Sequence, residues 1–556
     1  MASLHAVPLG PGQSRSGAVF LSDLYRAASG YASIPDMWDG LFRLACMTKD
    51  RPFDEPVAGK IQKALEGQTQ EGQYPGTVAE NLATARAVLA FYEYANGRDT
   101  LKSLLLFCSW VSRNWADVIA CNEIRRQPAD MMELLIKLYR YTGKTAILSL
   151  CDRLRRESLN WTAVLNTYSI KRPTSMMASW LEMRAGIDRE GDQDDGAYTR
   201  QYLMTHAETL ADGMRATTMN ALYSGSGDEA DAAKTGWTRI QRWHGAVCGG
   251  TTADEALQGN DPSVAIDAAS LCSWADALVA QFMLPDRLWA AAELDVLVPN
   301  ALAAAVMDGK LNPYQRVNFV EKTLLVRECY HAHSAEEQRR RCLIRLCRTA
   351  GRVMSSAVMT MPKGVEFLMY LDGEYDLPMN EKAFRFSVVH LSPYSIQITI
   401  QGKEEIGALV RLRIPDWMKN IQLAVNGRSQ SMEVKDGFIE IHGTWKHGDV
   451  ISLVWVPEIR VVETFHQGQA VMLGNTLMTL NVAERDWSVA LLGAPRMEEG
   501  QVHVTLGHVD HWEEINGITR TLPVQPEVTG ETEDAVLVPY ISAPVHMSVF
   551  PKGVKV

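Results

Sequence analysis

The chain has 556 residues, 46% hydrophobic and 22% charged, with a formal net charge of -11 and a pI near 5.7. That length calls for more than one domain, and the composition is that of a globular protein. The acidic balance argues against nucleic acid or an anionic membrane as partner, and no apolar run has the length of a spanning helix. The start, MASLHAVPLGPGQSRSG, lacks the apolar core of a secretory signal, so a cytoplasmic protein is expected.

Residues 1–20 read as a tail. From 21 to about 350 the apolar spacing is helical. LATARAVLAFYEYANG, MMELLIKLYRYTG and TLADGMRATTMNALYSGSG carry apolar residues three and four apart and close on Asn96-Gly97, Gly143 and Gly225. Endings that recur this way suit stacked helical hairpins, most simply closed into a barrel with a cavity at one end. From 351 to 556 the period changes to two. FRFSVVHL, SIQITIQG, LVRLRIP, IQLAVNG, FIEIHG, DVISLVWVP, AVLVPY and HMSVFP alternate apolar with polar residues between Asn-Gly, Asp-Gly and Pro turns, as in a β-sandwich. The sandwich is expected to pack on the barrel and to hold no chemistry of its own.

All nine cysteines (46, 108, 121, 151, 248, 272, 329, 342 and 347) fall in the first 347 residues, and none has CxxC spacing. Reduced core thiols are expected, with Cys342 and Cys347, five apart beside a basic run, as the pair to watch.

The stretch Trp243–Asp276 is the expected site. It joins two helical regions and holds a Gly249-Gly250 turn, Asp254, Glu255, the loop Gly259–Ser263 and Asp267. Long loops that carry carboxylates between helices are where helical barrels build sites. With Tyr314 and His206, this stretch supplies the candidates. Glu255, His244 and Asp267 are the expected catalytic groups, while Trp243 and Tyr314 are the flat walls. His206, His244 and Tyr314 are the expected hydrogen-bond donors to a substrate carbonyl.

RLRIPDWMKNIQLAVNG and DGFIEIHGTWKHGDVISLVWVPEIR resemble the sandwich segment of glycoside hydrolase family 127, the beta-L-arabinofuranosidase-like group. GGTTADEALQGNDPS, LDVLVPNALAAAVMDGK and VLVPYISAPVHMSVFPK resemble its acidic loop, a helix and its last strands. The resemblance implies a multidomain protein, an (α/α)6 six-hairpin barrel followed by β-sandwich, with the site in the barrel mouth. It also implies a cysteine thiolate nucleophile, zinc held by further cysteines and a glutamate, and a glutamate as general acid/base.

Here Glu255 stands at the acidic position. The Glu-x-Cys zinc pair is represented by Asp267-Ala268-Ala269, and the adjacent Cys-Cys pair by Cys347-Arg348. A guanidinium in place of a sulfur removes a ligand and repels the metal, so no metal and no other cofactor are expected. In size and in this loss the chain is also similar to the hetero-Diels-Alderases of fungal tropolone-sesquiterpenoid pathways. That similarity implies a cyclase joining a quinone methide to a terpene alkene, the 24 methionines and 14 tryptophans supplying an adaptable apolar cavity. The alternative is a zinc-independent glycoside hydrolase acting on arabinofuranosides or related sugars. An apolar small molecule is the expected partner under the first reading, with a homodimer allowed.

Overall fold

The computed structural model describes residues 6–171, 203–307, 310–319, 334–379, 382–483, 488–509, 514–515, 519–520, 522, 524–528 and 531–555. Cys329 lies outside them. Among the described residues twelve helices build the first part: α1 Val19–Ser29, α2 Pro35–Thr48, α3 Pro56–Glu66, α4 Val78–Ala95, α5 Arg98–Arg113, α6 Ala129–Thr142, α7 Thr145–Glu157, α8 Ala207–Ser224, α9 Gly227–His244, α10 Ala268–Gln281, α11 Leu288–Leu297 and α12 Ala335–Ala357. Short helical segments, Trp115–Ala120, Asn122–Arg126 and Trp161–Asn166 among them, lie between these helices.

Local chemistry sets the helix ends. Thr77 and Glu80 form a reciprocal capping box at the start of α4, which stops at Asn96 with φ 52°. α6 and α8 stop at Gly143 and Gly225, both left-handed, as the sequence signals predict.

The even-numbered helices close a ring, with α2 packing on α4, α4 on α6, α6 on α8, α8 on α10, α10 on α12 and α12 back on α2. The odd-numbered helices pack outside it, α1 on α2, α3 and α5 on α4, α7 on α6, α9 on α8 and α11 on α10. The inner ring explains the composition of its helices. Every residue of α10 is buried, and such a helix is apolar or small all round, without one hydrophobic stripe.

After α12, which runs to Ala357, come a six-stranded and a seven-stranded sheet. The six-stranded sheet has Gly364–Phe367 parallel to Ile406–Arg413 at its centre, and the seven-stranded one has Lys382–Ser392 against Ser395–Gly402. Phe367 and Phe386, 5.8 Å between ring centroids, join the two sheets as a sandwich. A third, nine-stranded sheet follows, built on Gln469–Leu473, Thr476–Asn481, Gln501–His508 and Thr532–Pro539, with its own core around Val504 and Phe550.

The amino-terminal residues are part of this architecture. Val7–Pro8 pairs with Met359–Thr360, and Ser14–Arg15 pairs with Glu374–Tyr375, so the segment adds a strand to each of the first two sheets. Buried charge clamps sandwich to barrel. Glu366 accepts from Arg287 Nε at 3.0 Å and from Arg411 at 2.6 Å, and Asp295 pairs with Arg413. Asn300 holds Asn475 O and Leu477 N, each at 2.8 Å, so the Asn-Ala-Leu motif is an anchor for the last sheet.

Three of the tryptophans belong to the core. Trp161, Trp237 and Trp274 are fully buried, and Trp237 stacks edge-on against Trp274. The expectation that tryptophans line an open apolar cavity is corrected for these three. Among the described residues no helix is long and apolar enough to cross a membrane.

Candidate active site at the barrel mouth

The first turns of the inner helices form one end of the barrel, and the acidic loop folds over it. Gly249 and Gly250 turn with φ 98° and 72°; a Cβ on Gly249 would stand 2.5 Å from Leu297 Cα, so no larger residue fits there. The next residues make a tight hairpin in which Ala253 pairs with Leu257 and Asp254 with Ala256. Glu255 is its apex, at φ 59°, a left-handed backbone that a non-glycine residue adopts only when its surroundings hold it there. Its carbonyl accepts from Ala207 N at 2.8 Å, which ties the hairpin to the start of α8.

One guanidinium organises the mouth. Arg341 of α12 donates to Glu255 Oε1 at 2.8 Å, to Asp267 Oδ2 at 2.9 Å and, through Nε, to Glu208 Oε1 at 2.6 Å. Arg345, one turn on, reaches Glu208 Oε2 at 2.9 Å. Because α8 and α12 are not neighbours in the ring, these bonds span the bore. Deeper in, Asp130 of α6 accepts from Arg86, Arg215 and Arg348, with Arg348 again crossing from α12.

Burial raises the Glu208 carboxyl, but Arg341 and Arg345 outweigh it and hold it at about 2. Asp212, one turn along the same helix, is pushed up to about 6 by burial, and Arg348 and Arg345 only partly offset this. Asp212 Oδ2 is buried with no hydrogen-bond partner among the described residues, and Arg215 stands 3.9 Å from Oδ1.

The predicted residues divide. Glu255 and Asp267 come together on Arg341. Asp267 also caps α10, accepting from Ala269 N at 3.1 Å, Ser270 N at 3.3 Å, Ser270 Oγ at 2.8 Å and Gln338 Nε2 at 3.1 Å. Burial pushes its carboxyl up against the pull of Arg341, and five donors fill its lone pairs. Tyr314 lies opposite Asp267 in a short strand pair and lines a small cavity with Arg316 and Phe319.

His206 caps α8, its Nδ1 accepting from Thr209 N at 3.3 Å. His244 is corrected as a proton donor, because both ring nitrogens are engaged by main chain. Nε2 donates to Ile170 O at 3.1 Å, Nδ1 accepts from Gly259 N at 3.0 Å, and burial lowers its pKa to about 4. Trp243 is half-buried, with Lys171 and Arg242 over its ring at 5.4 and 5.2 Å.

The cysteine correspondence also needs correction. Cys347 packs against Gly40 between α12 and α2, and Arg348 serves Asp130. The part of α12 that meets Asp267 is Gln338–Cys342, so Arg341-Cys342 stands where the pair was expected. Cys342 and Cys272 are buried near Asp267, and burial raises both thiols. These groups do not fit a zinc ion, since Arg341 sits among the carboxylates as a cation. Among the described residues no three His, Cys, Asp or Glu groups converge to hold a metal.

Glu208, Asp212, Arg341 and Arg345 were not singled out in the sequence. The signal is there, in acids four apart on α8 and arginines at 341, 345, 348 and 352 along one face of α12.

Residues 370–455 match the family model described as beta-L-arabinofuranosidase, GH127 middle domain. No curated protein matches in sequence. Among solved structures, one described as a glycoside hydrolase is 14% identical, with 99% of this chain and 98% of that one covered and a TM-score of 0.73. A GH127 beta-arabinofuranosidase is 14% identical over 99% and 98% of the two chains, with a TM-score of 0.66. A GH127 beta-L-arabinofuranosidase from Geobacillus stearothermophilus T6 is 13% identical over 96% and 94%, with a TM-score of 0.63. The chain therefore has the GH127 fold over nearly its whole length, and its middle module carries that family's sequence pattern.

Proposed function

We propose that the barrel mouth hydrolyses glycosides, arabinofuranosides or related sugars, with carboxylates and without zinc. The observation that carries this reading is the pair of carboxyl groups one turn apart on α8, Glu208 bound by Arg341 and Arg345 and held ionised, and Asp212 pushed up by burial. Two carboxyl groups pushed apart in this way are the usual assignment of base and acid in glycoside cleavage. Asp212 protonates the departing glycosidic oxygen. Glu208 Oε2 accepts one bond, from Arg345, and has a lone pair for the attacking water. Glu255 and Asp267 hold Arg341 in place.

The test is release of chromophore from a panel of nitrophenyl arabinofuranosides. Loss of turnover in Asp212→Asn and Glu208→Gln with the fold intact supports the assignment. Loss in Glu255→Gln alone moves the acid to Glu255, and no release from any sugar overturns the hydrolase. A cyclase joining apolar partners asks for an apolar mouth, whereas this one is lined with carboxylates and arginines. Parallel incubation with a tropolone quinone-methide precursor and humulene decides between the two, since a stereochemically uniform adduct would favour the cyclase.

A further inference from the structure

Two charged groups beside the α8 carboxyls are only half used by the ion-pair network of the mouth. Arg345 gives Nε to Glu208 Oε2 at 2.9 Å, while its two terminal nitrogens have no acceptor among the described residues. Neither of them is buried, and the side chain is 26% accessible, so both open into the mouth. Asp36, in the first turn of α2, accepts from Arg86 through Oδ1. Its Oδ2 has no donor among the described residues, and the side chain is 48% accessible.

Asp36 is nevertheless crowded by the chain. The surroundings raise its carboxyl by desolvation, and Arg86, Arg345 and Arg348 more than reverse this and hold it below its ordinary value. A group that is both crowded and accessible lines a recess. Arg345 also offsets part of the burial that raises Asp212, yet among the described residues it makes no ion pair with Asp36 or Asp212. It is bonded to Glu208 and separated by a gap from the other two. The positions are fixed from behind, because α12 packs on α2, Arg86 holds Asp36 and Glu208 holds Arg345.

An open carboxylate oxygen facing an open guanidinium edge calls for a partner that donates at one atom and accepts at the next. A lone anion would meet Asp36 and Glu208, and an apolar body would strip water from both groups without replacing its hydrogen bonds. A vicinal diol satisfies both. Two hydrogen bonds of about 2.8 Å, with the spacing of neighbouring hydroxyls between them, bridge such a gap. We infer that Asp36 and Arg345 are the specificity-determining pair of the mouth, binding two adjacent ring hydroxyls of the sugar whose glycosidic bond lies over Glu208 and Asp212. The inference rests on the glycoside reading above.

Titration calorimetry of the full chain with methyl thioarabinofuranoside, whose sulfur link resists cleavage, tests it against the two analogues that lack one or the other ring hydroxyl. Saturable binding of the parent is expected, with each analogue weaker by about tenfold or more, as loss of a hydrogen bond to a charged group gives. Arg345→Lys keeps the charge beside Glu208 but not the fork, and should erase the parent's advantage over one analogue. Asp36→Asn should erase its advantage over the other. A merely structural role would leave that discrimination intact, and if one variant does not fold, the other and the analogue series still decide. No binding of the parent, equal binding of all three sugars, or full discrimination retained in either variant would each overturn the proposal. Release of chromophore is read separately. Binding without release strikes the hydrolysis and leaves the diol site, whereas release without discrimination strikes the diol site alone.

Discussion

The two ends of one barrel share out their charges differently. At the mouth three carboxylates, Glu208, Glu255 and Asp267, meet one guanidinium, that of Arg341, whereas at the far end Arg43 and Lys137 share Glu93, Lys137 and Arg352 share Glu133, and Asp39 and Asp276 are further partners. Both sets sit on inner helices and α12 contributes to each, so the scaffold does not dictate the pattern. The side chains at each helix end do. At the mouth burial pushes the Asp212 carboxyl up to about 6, although Arg215 stands 3.9 Å away.

The largest effect tests how far the mouth depends on a single cation. Arg341→Met leaves Glu255 and Asp267 buried without their shared partner and Glu208 with Arg345 alone. Removing one side of a buried charge cluster costs about 3–5 kcal/mol, so urea unfolding should show a loss of that size together with loss of turnover. A change under about 1 kcal/mol would mean that water solvates the cluster as well as the arginine does.

Asp212→Asn comes next. Removing a general acid should lower turnover by about 10²–10⁴-fold, with stability near neutral pH unchanged or improved. The sign follows from the raised carboxyl. The folded group, at about 6, binds its proton more tightly than the unfolded one at 3.8. Its contribution to stability is therefore full below 3.8 and lost as the pH rises through 6. The variant should flatten that part of the stability curve.

His244 has the opposite dependence. Its folded value of about 4 lies below the ordinary 6.5, so its contribution is present above 6.5 and is lost as the pH falls toward 4. The loss is on the order of 3 kcal/mol at most, and His244→Asn should reduce the acid sensitivity measured by thermal unfolding.

Much of the fold was legible. The helix endings at Asn96, Gly143 and Gly225 and the alternation in Ser395–Gly402 each depend on neighbours within a few residues, and the described elements follow them. The site was legible only in part. Glu255 and Asp267 stood out because glycines mark their loop. Arg341 did not, because its meaning lies in partners 133, 86 and 74 residues away. The run RRRCLIRLCR reads as a solvated basic face until the ring closes and turns that face into the bore. The correspondence of Cys347-Arg348 with a ligand pair failed for the same reason, since six residues along a helix change both depth and face.

The smallest expected effect is none, and it concerns metal. A zinc site of the family kind needs thiolates and a carboxylate free to turn to one point. Here Ala269 offers no ligand atom and Asp267 has five donors on its oxygens. Cys272 and Cys342 are thiols whose burial resists ionisation, and Arg341 brings a positive charge into the middle of the group. A bound dication would have to displace that guanidinium and deprotonate both sulfurs. Dialysis against a strong chelator should therefore leave the melting temperature and the release of chromophore unchanged, and elemental analysis of the purified chain should find no stoichiometric zinc. One zinc per chain, or a melting temperature that falls on chelation and returns with added zinc, would show that Arg341 swings away from Asp267 and would restore the thiolate mechanism.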